Sequence, residues 1–266
     1  MPSFPRFPLA TALAALLITA SSLSHAQLDA AGNAQLAQQR ESPDSAGVLI
    51  YRGATFSLKA PSTEPLFRYE RRVGSTSRGL SASHATSDPK GELLILETAE
   101  YNSSYEIQRF EVANKQGGFS GSVLVSADGH HLDYSVNDNG KVSSAKEDVS
   151  EPVVTGPSMF GFILKNWDLL KAGNTIPVRM VVLREKTTYG FDVRFEKEAN
   201  GKTSFSVAPS SFIIRMAIAP LRVVFDSTSR NARRYEGRVP PMEAVAGKLK
   251  DLDARVDYTM VTTSYR

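Results

Sequence analysis

Phe119–Gly140 reads FSGSVLVSADGHHLDYSVNDNG. Asp128-Gly129 is the dipeptide of a two-residue turn whose twist suits antiparallel strands. Pairing Ala127 with His130 sets Val125 opposite Leu132 and Val123 opposite Tyr134. Phe119, Val123, Val125, Leu132, Tyr134 and Val136 then share one face, because side chains alternate along a strand. Ser120, Ser122, Ser126, His131, Asp133, Ser135 and Asn137 share the other. One dry face and one wet face describe an antiparallel sheet with its core on one side.

The same logic extends in both directions. ELLILETAEY (92–101) and YEIQRFEVA (105–113) bracket Asn102-Ser103-Ser104 as a second hairpin. A slip in alternation between Ile107 and Phe110 predicts a bulge. The Ser-rich stretch 74–91 fits an edge hairpin or a long loop equally well. Strand chemistry starts at VLIYRGATFSLKA (48–60). Downstream, GFDVRFEKEANGKTSFSVAP (190–209) predicts a hairpin with a three-residue loop at Ala199-Asn200-Gly201, opposing Phe195 to Phe205 and Val193 to Val207. FIIRMAIAPLRVVFD (212–226) predicts two apolar strand segments hinged at Pro220, where a ladder hydrogen bond is lost. PPMEAVAGKLKDLD (240–253) has the spacing of a short helix burying Met242, Val245, Leu249 and Leu252. ARVDYTMVT (254–262) closes the chain as a strand through Val256, Tyr258 and Met260.

One segment breaks the pattern. SMFGFILKNWDLLKAG (158–173) holds the single tryptophan and follows helical spacing through Phe160, Ile163, Leu164, Trp167 and Leu170. Met159, Phe162 and Leu169 widen its apolar arc, Ser158 can cap its start and Gly173 can close its end. It is too short and too charged to span a bilayer. Packing on a sheet is its expected fate.

The first 26 residues read as a cleaved export signal, with Arg6, an apolar run from Leu9 to Ala20, and a small-x-small ending at Ala26. Residues 27–47 are polar and small, a flexible leader. The chain has no cysteine, which removes disulfides, thiolate sites and a lipoprotein anchor. Its core alone must stabilise it, and at this length folding buries roughly 70–75% of the unfolded surface. The expected fold is α+β, mainly antiparallel: a curved meander sheet or partly open barrel, one domain over 48–266, with one long apolar helix near 158–172 packed on it. Net charge is +3, or +2 once Arg6 leaves with the signal (30 basic residues against 28 acidic), so no nucleic-acid partner is implied.

Sites for chemistry are sparse. His130 and His131 are adjacent on a strand and point to opposite faces, so they do not converge on a metal. There is no Gly-x-Ser-x-Gly elbow and no phosphate-binding glycine loop. No catalytic residue, metal or cofactor is predicted, although His84 could meet a Ser and an Asp through space, which keeps a hydrolase as a third reading. Shape supplies the first reading. Phe160, Phe162, Ile163, Trp167 and Leu170 would line a lipid-sized site from the helix, and Phe212, Ile214, Leu221, Val223 and Phe225 from the sheet. Arg230, Arg233, Arg234 and Arg238, in RNARRYEGR, would meet an anionic headgroup or an acidic partner, unless they are simply solvated.

NWDLLKAGNTIPVRMVV, PLRVVFDSTSRNARRYEG and LDARVDYT resemble segments of uncharacterised exported β-rich proteins of Gram-negative bacteria. The expected architecture is similar to periplasmic lipoprotein carriers and lipocalin-like barrels. That resemblance implies a periplasmic, non-enzymatic protein binding an apolar or amphipathic ligand. The competing expectation is a structural or adaptor protein of the cell envelope, with a solid core, a protein partner and no ligand.

Overall fold

The computed structural model describes residues 47–60, 62–76 and 79–262. The expected export signal and nearly all of the leader lie outside them. Fifteen strands are described: β1 (Val48–Ser57), β2 (Phe67–Thr76), β3 (Gly79–Ser87), β4 (Leu93–Tyr101), β5 (Ile107–Asn114), β6 (Phe119–Val125), β7 (His131–Asp138), β8 (Lys141–Asp148), β9 (Val153–Val154), β10 (Thr175–Val182), β11 (Thr187–Ala199), β12 (Lys202–Pro209), β13 (Leu221–Asp226), β14 (Ala232–Val245) and β15 (Lys248–Met260). They form one sheet in the order β8-β7-β6-β5-β4-β3-β2-β1-β15-β14-β13-β12-β11-β10-β9. Two meanders are therefore sewn together where β1 meets β15, with Thr55 opposite Val256. All neighbours run antiparallel except β9 and β10.

The sheet is open, and its β9–β10 edge is rolled inside. Even-numbered Val154, Val178 and Met180 pack in the cluster around the helices, whereas odd-numbered Val153, Val181 and Leu183 pack with β3–β8 residues such as Val123, Leu132 and Val136. Both faces of that edge are buried, which is one way to protect unpaired strand groups from other chains. Side chains replace the missing ladder. Glu147 of β8 accepts from Thr188 Oγ1 (2.7 Å), Tyr134 Oη (2.8 Å) and Arg179 Nη2 (3.2 Å). Arg184 grips Asp138 with two bonds of 2.8 and 3.0 Å.

The helical stretch lies on the concave side but is not one long helix. It is α1 (Gly156–Lys165) followed by α2 (Trp167–Lys171). Asn166 separates them, its side-chain amide donating to Phe162 O at 2.9 Å and competing with the helical ladder. The start lies earlier than Ser158. Thr155 is the N-cap, Pro157 sits in the first turn, and Ser158 Oγ reaches back to accept from Thr155 N at 2.9 Å.

Four further expectations change. Phe212 and Ile214 are not strand residues, because Phe212–Ala217 forms a short helix, α3, with Phe212 72% exposed. Strand pairing runs out there: Val207 already faces Leu221, so 210–220 is a connection. The helix expected over 240–253 is the far end of a hairpin, with Val245 opposite Lys248 and positive φ at Ala246 (51°) and Gly247 (76°). Pro240-Pro241 marks the register shift between Val239 and Met242, where lost N–H groups are tolerated. The loop after Ala199 has two residues, Asn200-Gly201, with Ala199 opposite Lys202. A bulge between Phe195 and Lys197 restores the expected pairs Phe195–Phe205 and Val193–Val207. The Asp128-Gly129 hairpin has the expected register and the shift expected after Ile107 falls at Gln108, whereas 74–91 is neither an edge hairpin nor a long loop: it holds the end of β2 and all of β3, paired on both sides as inner strands of the sheet.

Candidate functional site

Three neighbouring strands each turn one polar side chain inward at the same level. Arg71 of β2 lies opposite His84 of β3, and His84 lies opposite Glu97 of β4. Alternation puts Phe67, Tyr69 and Arg71 on one face, which makes Arg71 a buried residue within a run that reads as charged surface. Arg71 Nη1 donates to Pro157 O at 2.7 Å and lies 2.6 Å from His84 Nε2. A guanidinium only donates, so Nε2 accepts and the imidazole proton sits on Nδ1. Burial, reinforced by the Arg71 charge, holds His84 well below its ordinary pKa. Arg71 also lies over the Phe160 ring at 5.2 Å, so the ladder is tied to the first turns of α1.

Tyrosines surround this ladder. Tyr69 packs edge-on to His84 (4.8 Å) and against Tyr258 (5.3 Å). Gly53 makes room: a Cβ there would lie 2.9 Å from Val256 Cγ1 and 3.1 Å from Tyr69. Tyr69 Oη is buried and has no well-directed hydrogen bond among the described residues, although Arg71 and Tyr258 stand close enough to influence its ionisation. Tyr235 faces the same interior, opposite Val223 and Val256, and burial, with the Glu97 charge adding to it, raises its pKa.

Glu97 is the least satisfied member. Both of its carboxyl oxygens lie 3.7 Å from where a Cβ on Gly156 would stand, and His84 Nδ1 lies 3.8 Å from that point. The residue is half-buried, yet desolvation pushes its pKa up to about 7. Between about 4.5 and about 7 the unfolded chain has released a proton that the folded protein keeps, so stability falls as pH rises through that window and levels off above it. In Glu97→Gln this slope should vanish. The stability difference between variant and parent should grow, in the variant's favour, by on the order of 2 kcal/mol from pH 4 to pH 8, a figure reduced from the full linkage value because the carboxyl is partly accessible. Urea unfolding at the two pH values measures it, and parallel pH profiles would refute the assignment.

The interior has two halves. From Thr155, α1 runs away from Glu97 to Trp167, which meets Phe205 at 4.9 Å and Phe225 at 5.6 Å, both edge-on. Of the residues predicted to line a ligand site, Phe160, Phe162, Ile163, Trp167, Leu170, Leu221, Val223 and Phe225 do come together in one cluster. They pack on one another, and Ile163, Leu170 and Val223 have 0% exposure. Phe212 and Ile214 are not among them. Beyond the start of α1, by contrast, the inward-facing Tyr235, Val239, Met180 and Glu97 retain accessible surface. The β14–β15 hairpin reaches the β5–β6 turn at this end, where the Gln116 amide both donates to Met242 O and accepts from Met242 N, each at 2.8 Å.

The predicted arginine patch is spent on ion pairs. Arg230 pairs with Asp168 (3.4 Å) and lies over Trp167 (5.0 Å). Arg233 pairs with Asp226 (3.1 Å), Arg234 with Asp257 (2.6 Å), and Arg238 with Asp251 (2.6 Å) and Asp253 (2.8 Å). Arg234–Asp257 belongs to a longer charge ladder on the outer wall, in which Glu196, Arg222, Glu236, Arg234, Asp257 and Arg255 are linked in sequence. A membrane-spanning barrel presents an apolar band there, and this wall does the opposite. No helix among the described residues is long and apolar enough to cross a membrane.

His84 was legible as a candidate, but its partners are Arg71, Tyr69 and Glu97, not a Ser and an Asp. Arg71, Glu97, Tyr69, Tyr235 and Tyr258 were missed. The signal available for them was strand parity, which puts each on the face of its apolar neighbours.

No family model matches the chain, and no curated protein does. Among solved structures, the chain is similar to a β-barrel-like protein of the domain of unknown function DUF1849 from Brucella abortus. The TM-score is 0.47 at 6% identity, covering 80% of this chain and 97% of that one.

Proposed function

We propose that this is an exported cell-envelope protein that binds an amphipathic ligand without covalent chemistry. The ligand's polar group would sit at Glu97, Tyr69 and Arg71, and its apolar part against Met180, Tyr235 and Val239. The observation that carries this reading is the buried Tyr69 hydroxyl without a well-directed partner beside the desolvated Glu97 carboxyl, at an interior end where Met180, Tyr235 and Val239 keep accessible surface. Small-ligand sites combine an apolar lining with a few convergent polar groups and perturbed pKa values. His84 is poorly placed as a general base, since its acceptor nitrogen is occupied by Arg71.

Native mass spectrometry of the protein, delipidated and then offered oleate or lysophosphatidylethanolamine, tests it. One bound ligand per chain is expected, with affinity lowered about tenfold in Tyr69→Phe and in Glu97→Leu, in line with losing one buried polar contact. An adaptor without a ligand is the second reading, favoured by the solid packing around α1 and α2. Absence of both a co-purifying species and rebinding would select it.

A further inference from the structure

Six of the ten large apolar side chains that are exposed among the described residues lie at one end of the sheet, and Val48, Leu124, Leu169 and Val261 lie singly toward the other. Because neighbouring strands are antiparallel, the β1–β2, β14–β15 and β12–β13 connections all leave the sheet on the same side. The order β2-β1-β15-β14-β13-β12 makes them successive along the rim. Their centres are two strand spacings apart, about 10 Å. The first carries Leu58 (48% exposed), the second Val245 (37%) and Leu249 (48%), and the third Phe212, Ile213 and Met216, all between 71% and 74%. The third prominence, α3, is capped by local bonds such as Arg215 Nη2 to Ser210 O at 2.9 Å. The adjacent wall is the charge ladder, so this is a local concentration and not a generally greasy surface.

We propose that this rim is a membrane-contact surface whose occupant is the headgroup–acyl boundary of an anionic phospholipid bilayer. Separate apolar tips spaced along an arc suit a fluid surface better than a shaped protein partner, which would need a continuous complementary face. Each tip also has a cation beside it: Lys59 next to Leu58, Lys248 and Lys250 flanking Leu249, and Arg215 between Ile213 and Met216. Lys59 reaches Asp253 at 3.4 Å and Glu243 faces Lys250 across the hairpin, so some of this charge is offset. The remaining cations complement anionic headgroups. The same end holds the partly exposed interior residues Met180, Tyr235 and Val239, beside the packed cluster of Phe67, Leu252 and Ala254, so docking there would bring those residues toward the source of amphipathic molecules. The surface does not depend on the interior-ligand reading.

The test is flotation of purified protein with vesicles of phosphatidylethanolamine and phosphatidylglycerol at 3:1, against vesicles of phosphatidylcholine alone. The parent should float with the anionic vesicles. The triple variant Phe212→Ser, Ile213→Ser, Met216→Ser should lose at least nine-tenths of that binding while keeping its circular dichroism and its oleate uptake. Leu169→Ser, exposed at the opposite end, should float like the parent. A parent that fails to float, or a triple variant that floats undiminished, overturns the proposal. Loss of oleate uptake in the parent would instead sink the interior-ligand reading and leave this one standing.

Discussion

Trp167→Ala should destabilise the protein by about 4 kcal/mol, in the range of 3–5 kcal/mol seen when a fully packed large aromatic is truncated. The indole is held edge-on between Phe205 and Phe225, and its other face carries the Arg230 guanidinium at 5.0 Å. Phe205 and Phe225 are themselves sealed, so they have no solvent-side room into which to relax. The cavity left would therefore stay largely open, the condition under which truncation costs most. Arg230 would lose its aromatic face and keep only its exposed pair with Asp168, which contributes little. Trp167→Phe should recover more than half of the loss, because a ring of either kind meets Phe205 and Phe225. Urea unfolding followed by far-ultraviolet circular dichroism measures all three proteins, since the fluorescence reporter is removed with the tryptophan. A loss below 1 kcal/mol would mean that α2 is not seated on the sheet.

Gly161→Val should cost about 3 kcal/mol, against the usual preference of helix interiors for residues other than glycine and proline. Gly161 is in the middle of α1, where replacement by a side chain would ordinarily help by roughly half to one kcal/mol. Here a Cβ would stand 2.2 Å from Tyr105 Cδ1 and 2.3 Å from Cε1. Tyr105 cannot swing aside freely, because it stacks on Tyr101 at 5.4 Å and its own backbone holds φ at 58° in the β4–β5 turn. Lys165 Nζ donates to Ser104 O at 2.6 Å from the next turns of the helix, fixing the helix to the same turn. Overpacking of this kind costs 1–3 kcal/mol or more. Tyr105→Ala in the Gly161→Val background should restore a large part of the stability, so that the two substitutions are strongly non-additive. Additive effects would show that the two residues do not touch.

The two predictions share a cause. The helices plug one half of a rolled sheet, and the plug is fixed at its far end by aromatic packing and at its near end by the Arg71–His84–Glu97 ladder. The near end is where the protein accepts a desolvated carboxyl and an unanswered hydroxyl. Folding alone would favour neither, and such local losses of stability are where function concentrates.

What the sequence determined by itself was local. Alternation and turn dipeptides specified the hairpins and even the register across Val123–Tyr134 and Val193–Val207, because strand pairing over a tight turn is decided by residues a few positions apart. The apolar arc of 158–173 likewise announced that this segment would be buried. Tertiary structure decided the rest. Strand pairing made 212–217 an exposed helix once Val207 had met Leu221, and it turned the expected helix at 240–253 into a hairpin. The neighbours of Arg71, His84 and Glu97 are set by pairing across β2, β3 and β4, and those of Tyr235 and Tyr258 by a strand order that joins the chain's two meanders at β1 and β15. A side chain's face can be read from its own strand, but what it faces depends on which distant strand arrives opposite, and that is settled only by the closure of the whole core.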